Sequence, residues 1–150
     1  MKRMLQVLVA IILLTVFVWA QKAYVNVDRA GLALQGYDPV AYFTQNKPVK
    51  GNANFQSSYK GATYYFASVE HKQMFDKEPA KYEPQFGGFC AYAVSRGYTA
   101  KIEPDAFQIV NGRLLLQYDR GVRDKFNQDT LGNLQKADQN WPGLVQKKGK

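Results

Sequence analysis

His71 and Cys90 are the only imidazole and the only thiol in the chain, about twenty residues apart. A neutral imidazole suits borderline metals, and a thiolate is both a soft ligand and a strong nucleophile. Met74 places a thioether three positions beyond His71. Cys90, His71 and Met74 together would form a soft site suited to Cu(I), whereas a closed zinc site needs four ligands that this set does not supply. Cys90 alone would support a different chemistry, attack on a peroxide or disulfide. With no second cysteine in the chain, an external thiol would have to resolve each cycle. In a third reading neither group reacts, and the fold binds a small ligand or a partner protein. Tyr42, Tyr64, Tyr65, Tyr82 and Tyr92 bear on that reading, because they would either line an amphipathic pocket or simply pack a core. No phosphate loop, Ser-His-acid signature, metalloprotease motif or paired-cysteine redox motif is present, and a single histidine excludes multi-histidine metal centres.

The elements that would hold these residues are marked by punctuation. Asp38 caps a short helix with Pro39 at its first position, ending before Asn46-Lys47-Pro48. Asn54 to Tyr59 and Ala62 to Ala67 read as strands joined by a Lys60-Gly61 turn, with Ala62, Tyr64 and Phe66 on one face. Ser68 is a good N-cap for the next helix, its hydroxyl accepting from the amide of Glu70 or His71; this puts His71 at the third helical position, with Met74 and Phe75 on the same face. Pro79 closes that helix or opens a second turn. Gly87-Gly88 marks a bend or a close backbone approach; periodicity allows Phe89 to Ser95 as helix or strand, and Ala91, Ala93 and Gly97 favour a short helix with Cys90 near its start, where amide dipoles favour a thiolate. Asn111-Gly112 between Phe107–Val110 and Leu114–Tyr118 is the strongest hairpin signal, and helices follow over Gly121 to Asp129 and Leu131 to Asn140. The fold class is α+β, a small antiparallel sheet of two hairpins covered by short helices. No internal repeat is apparent, and only the lysine-rich end is of low complexity.

The first of these stretches resembles the YHS domain. The matching residues are Asp38-Pro39-Val40, Tyr64-Tyr65-Phe66, Ser68, Phe75, Pro79 and Tyr82; Ala41 stands where that pattern places cysteine, Ala67 where it places a strand-end Cys or His ligand, and His71 where it has a helix cysteine. With GYDPVAYF (36–43), GGFCAYAVSRGYT (87–99) and Asn140-Trp141-Pro142, the chain is similar to exported YHS-domain proteins that include selenoproteins. That resemblance implies a soft ligand or easily ionised nucleophile at Cys90, where such proteins can carry selenocysteine.

Residues 1–20 read as a secretory signal: Lys2 and Arg3, an apolar run from Leu5 to Trp19, and a small-residue site ending at Ala20. The alternative is an uncleaved membrane anchor through residues 5–20, which falls slightly short of the ~20 residues a spanning helix needs. Residues 21–35 would be a lead-in strand or tether, 36–142 the domain, and 143–150 a basic tail. Export implies a periplasmic or secreted protein and argues against a nucleic-acid partner. The full chain carries +8; without Lys2 and Arg3, eighteen basic residues face twelve acidic ones, which implies at most weak, screened association with anionic lipid surfaces.

Overall fold

Residues 23–148 are described by the structure, a computed structural model; the signal and anchor readings fall outside them. Among the described residues no helix is long and apolar enough to cross a membrane. The chain runs through α1 (Ala41–Thr44), β1 (Asn52–Tyr59), β2 (Ala62–Phe66), α2 (Val69–Lys77), α3 (Pro79–Tyr82), α4 (Ala91–Ser95), β3 (Glu103–Val110), β4 (Arg113–Gln117), α5 (Arg120–Asn127) and α6 (Thr130–Lys148), with 3-10 turns at Leu34–Gly36 and Gln85–Gly88. The class is α+β as expected. The hairpins, however, form two separate two-stranded sheets and not one.

Both hairpins close through two residues with positive φ, Lys60 (49°) and Gly61 (78°) in the first, Asn111 (51°) and Gly112 (73°) in the second. That is the turn geometry whose twist matches paired strands. In β2 the alternation works as the sequence implies: Ala62, Tyr64 and Phe66 are buried, and Phe75 of α2 plugs the same cluster.

The chain contains an internal repeat that its sequence conceals. A shift of 51 positions carries the start of β1 onto β3 (52 to 103), of β2 onto β4 (62 to 113) and of α2 onto α5 (69 to 120). The register follows as well. Asn52 pairs with Phe66 and Gln56 with Tyr65 across a bulge, and Glu103 pairs with Gln117 and Phe107 with Leu116 across another at the corresponding position. The preceding 3-10 turns start at Leu34 and Gln85, again 51 apart. Helix caps correspond: Ser68 Oγ accepts from the His71 amide at 3.1 Å, and Asp119 Oδ1 from the Val122 amide at 2.7 Å. So do the aromatic plugs, Phe75 and Phe126, exposed by only 1% and 0%. Few side chains besides Gly36/Gly87, Gly61/Gly112 and Phe75/Phe126 are shared. What recurs is turn geometry, capping chemistry and which face is buried, and many residues satisfy each of these.

The halves share a core. Tyr42 on α1 is fully buried against the second half, its ring 4.7 Å from Phe107 and its hydroxyl donating to the Pro104 carbonyl at 2.8 Å. The third cluster, Phe86, Ala91, Val94, Leu115 and Phe126, is closed by Leu134 and Ala137 of α6. α6 runs on through Pro142 to Lys148, so most of the tail placed at 143–150 is helical. The lead-in is no loose tether over its described part: the Asn26 amide donates to the Gly87 carbonyl at 2.8 Å, strapping Tyr24–Asn26 across the second 3-10 turn. A Cβ on Gly87 would lie 2.0 Å from the Tyr24 carbonyl oxygen. Both sequence readings of Gly87-Gly88, bend and close approach, therefore hold.

Candidate functional site

Asp38 is completely buried, yet its carboxylate has four donors around it. Oδ1 accepts from the Val40 and Ala41 amides at 2.8 and 3.3 Å, holding the turn ahead of α1, whose first residue is Ala41 and not Pro39 as expected. Oδ2 accepts from the Ala67 amide at 2.9 Å and contacts His71 Nδ1 at 2.5 Å. A ring nitrogen against a carboxylate carries the proton, so Nδ1 donates and Asp38 fixes the tautomer and orientation of His71. In the neutral ring, Nε2 is then the bare acceptor. It lies 3.3 Å from the Thr44 hydroxyl, which is also 3.2 Å from the Val40 carbonyl.

The position equivalent to Asp38 in the second half belongs to Cys90. The Asp38 amide donates to the Val49 carbonyl and the Cys90 amide to that of Ala100; Asp38 Oδ2 accepts from the Ala67 amide and Cys90 Sγ, at 3.3 Å, from that of Tyr118. Val49 and Ala100, like Ala67 and Tyr118, are 51 apart, while Asp38 and Cys90 are 52 apart, so one residue is inserted between them. Where His71 approaches Asp38, the second half carries Val122, one of the partly buried apolar residues packed against the Cys90 cluster.

Cys90 is 1% exposed, packed with Leu114, Leu116 and Ile102. Its thiol donates to Gln117 Oε1 at 3.3 Å. Burial pushes the thiol pKa up, outweighing the amides of Ala93, Tyr118 and Tyr92 that favour the thiolate. The dipole argument that favoured ionisation from sequence thus loses to desolvation. Gln117 is itself fully buried; its Oε1 also accepts from the Tyr92 amide at 3.0 Å, while its Nε2 has no partner among the described residues.

Met74 packs against the first-half cluster with Phe75, whereas Cys90 lies in the second. No group of three or more His, Cys, Asp or Glu side chains converges to hold a metal among the described residues. The set Cys90, His71 and Met74 therefore does not fit a closed copper centre: its thiol is sealed away and its donors sit in different clusters. Of the five tyrosines singled out in the sequence, Tyr42, Tyr64 and Tyr82 are core residues, and Tyr65 and Tyr92 are partly exposed.

A concavity lies away from these residues. A cleft of about 650 Å³ opens between the N-terminal strap, the second 3-10 turn and α6. Tyr24 and Trp141 stack in it at 5.9 Å between centroids with planes 5° apart, and Phe86 meets Trp141 edge-on at 6.0 Å. Arg113 reaches Asp138 through two N–H groups, at 2.6 and 3.0 Å, and Gln85 through Nε at 2.9 Å. Lys60, from the first hairpin turn, pairs with Glu83 at 2.9 Å. Sequence reading missed this site. Its aromatic residues come from three distant segments, and only a basic residue just after a hairpin glycine, Arg113, stands out locally.

Residues 40–85 match the YHS domain model, so the chain carries a YHS domain, a family associated with metal handling. The matched segment ends at Gln85, where the second half begins. No curated protein and no solved structure matches the chain.

Proposed function

We propose that this YHS-domain protein is a binding module that takes a small amphipathic molecule into the Trp141 cleft. The observation that carries this reading is the cleft: a concave volume of about 650 Å³ with stacked aromatic walls and a few charged groups at one place, the composition of small-molecule sites in general. Turnover is not needed for such a role. Titration with the uncharged fluorophore N-phenylnaphthylamine tests it. One saturable site per chain is expected, lost when Val145→Trp fills the cleft and kept when the exposed Leu131 of the same helix is changed to Trp. Equal binding by Val145→Trp and the unaltered protein would remove the reading.

A second reading, transient capture of a soft metal ion such as copper as cargo, rests on the Asp38–His71 contact. A carboxylate holding one imidazole nitrogen while the other is an unprotonated acceptor, here beside the Thr44 hydroxyl, is the usual support behind a histidine ligand. His71 would be the donor, with Cys90 and Met74 as packing residues. Titration with Cu(I) should then lose a site on His71→Ala and keep it on Cys90→Ser; the reverse pattern would restore the thiol-centred alternative, and uptake indifferent to both would end the metal reading.

Export through residues 1–20 completes the proposal. Protein recovered from the cells that make it should begin at Gln21, and an intact Met1 start would favour the anchor through residues 5–20.

A further inference from the structure

We infer that the ligand of the cleft is a small aromatic or similarly planar acid, an inference that rests on the cleft being a binding site at all. Two features decide its chemistry. The first is the set of ring faces. Trp141, stacked with Tyr24 and met edge-on by Phe86, lines the cleft together with Val145, but the cation-accepting positions over nearby rings are taken: the Arg113 guanidinium lies 5.6 Å from the Phe86 centroid and Lys148 Nζ 5.4 Å from that of Tyr24. An incoming ammonium group would find those faces shared with a like charge.

The second feature is a surplus of donors. Arg113 has five N–H groups, of which three are used by Gln85 and Asp138, and Lys60 has three, of which one goes to Glu83. Beyond these bonds two Arg113 N–H groups and two on Lys60 remain, with the Lys60 ammonium also lying 5.3 Å from the Tyr59 ring centroid. Glu83 and Asp138 are each already engaged with a cation. Glu83 holds the Lys60 pKa up against the partial burial that lowers it, so the ammonium stays charged across the neutral range. A carboxylate or sulfonate entering here completes the shells of both cations, and its planar body covers the indole. A neutral ligand gains only the second contact, and a cationic one finds both carboxylates of the cleft already engaged.

The experiment compares anilinonaphthalene sulfonate with N-phenylnaphthylamine, two probes with the same aromatic body that differ by one acidic group. The sulfonate is expected to bind the unaltered protein at least about tenfold tighter, the margin a charge-assisted hydrogen bond supplies. Val145→Trp should abolish both. Lys60→Met and, independently, Arg113→Met should each weaken the sulfonate more than the neutral probe and so cut its advantage; Lys60→Met keeps the question open to test if loss of the Arg113–Asp138 pair unfolds α6. Raising the salt concentration should shrink the advantage. Equal affinity for the two probes, both sensitive to Val145→Trp, would overturn the acid-specific inference and leave the cleft as a binding site. Indifference of both probes to Val145→Trp would overturn the inference and the proposed function together.

Discussion

The two halves of the molecule share a backbone and differ in chemistry. Each has a bulged hairpin, a positive-φ turn, a capped helix and a buried phenylalanine in register. Each also needs an acceptor for the amide that follows its second strand, because a buried N–H left alone costs about 1–3 kcal/mol. The first half supplies the Asp38 carboxylate and the second the Cys90 thiol. A carboxylate in a dry interior requires more donors than one amide, and it collects Val40, Ala41 and His71. A thiol tolerates hydrocarbon, so its neighbours are Leu114, Leu116 and Val122. One position in a repeated frame is thus a polar junction reaching towards the surface in one half and part of the sealed core in the other. The thiol unique in sequence is, by this comparison, the more structural of the two.

The deepest test of equivalence is the aromatic plug. Phe75→Ala and Phe126→Ala should each destabilise the fold by about 3–5 kcal/mol, as truncations of fully buried rings do, and chemical denaturation should show losses of similar size. A loss under about 1 kcal/mol at either site would mean that the copies do not share a packing plan.

The acceptor position should separate the halves. Asp38→Ala strands three amides and the His71 ring N–H, and a loss of about 3 kcal/mol is expected. Cys90→Ala strands the Tyr118 amide and leaves a small void, for about 1–2 kcal/mol. Equal losses from the two truncations would erase the distinction between junction and core. Asp38→Asn, which retains one oxygen acceptor but sets an amide against the Ala67 N–H or His71, should fall between them.

The thiol also makes the second half sensitive to alkali. Because burial raises the Cys90 pKa above its ordinary 9.0, both states hold the proton at neutral pH; above that value the unfolded chain releases it first, so stability falls as pH rises towards the folded pKa. Buried Tyr42 and Tyr64, whose pKa values are likewise raised by desolvation, add to the fall above their ordinary 10.0. Denaturation midpoints measured from about pH 8 to about pH 10 should decline, and Cys90→Ala should flatten the early part of that decline. An unchanged slope in Cys90→Ala would show that the thiol titrates alike in both states.

Local grammar was readable in the chain. The Lys60-Gly61 and Asn111-Gly112 turns, the Ser68 cap, the inward face Ala62-Tyr64-Phe66 and the start of α4 at Cys90 all follow from short-range rules that neighbouring residues decide. The site was not readable, since its groups meet only through tertiary packing. Asp38 and His71 are 33 residues apart, and Tyr24 and Trp141 belong to opposite ends of the described chain. Cys90 misled because the rule for a thiol at a helix start speaks of dipoles and is silent about desolvation, which the core decides. The repeat stayed hidden because the rules it follows are permissive: Ser68 and Asp119 cap equally well, and Phe66 and Gln117 both fill an interior strand end.

That permissiveness gives the smallest and sharpest prediction. Ser68→Ala and Asp119→Ala should each lose about 1 kcal/mol, the usual value of an N-cap. Exchanging the caps, Ser68→Asp in one variant and Asp119→Ser in the other, should change stability by less than about 0.5 kcal/mol, because serine and aspartate accept from the same amide in the same frame. The residual should have a sign. Aspartate at position 68 places a negative charge at the start of α2, where the dipole favours it, but Glu70 already lies in that first turn, while α5 has no acidic residue in its own. Asp119→Ser should therefore be the more costly exchange, and its cost should shrink in high salt. A large penalty for Ser68→Asp alone, insensitive to salt, would point to steric closure around α2 that α5 lacks, and the two helix starts would no longer count as copies of one design.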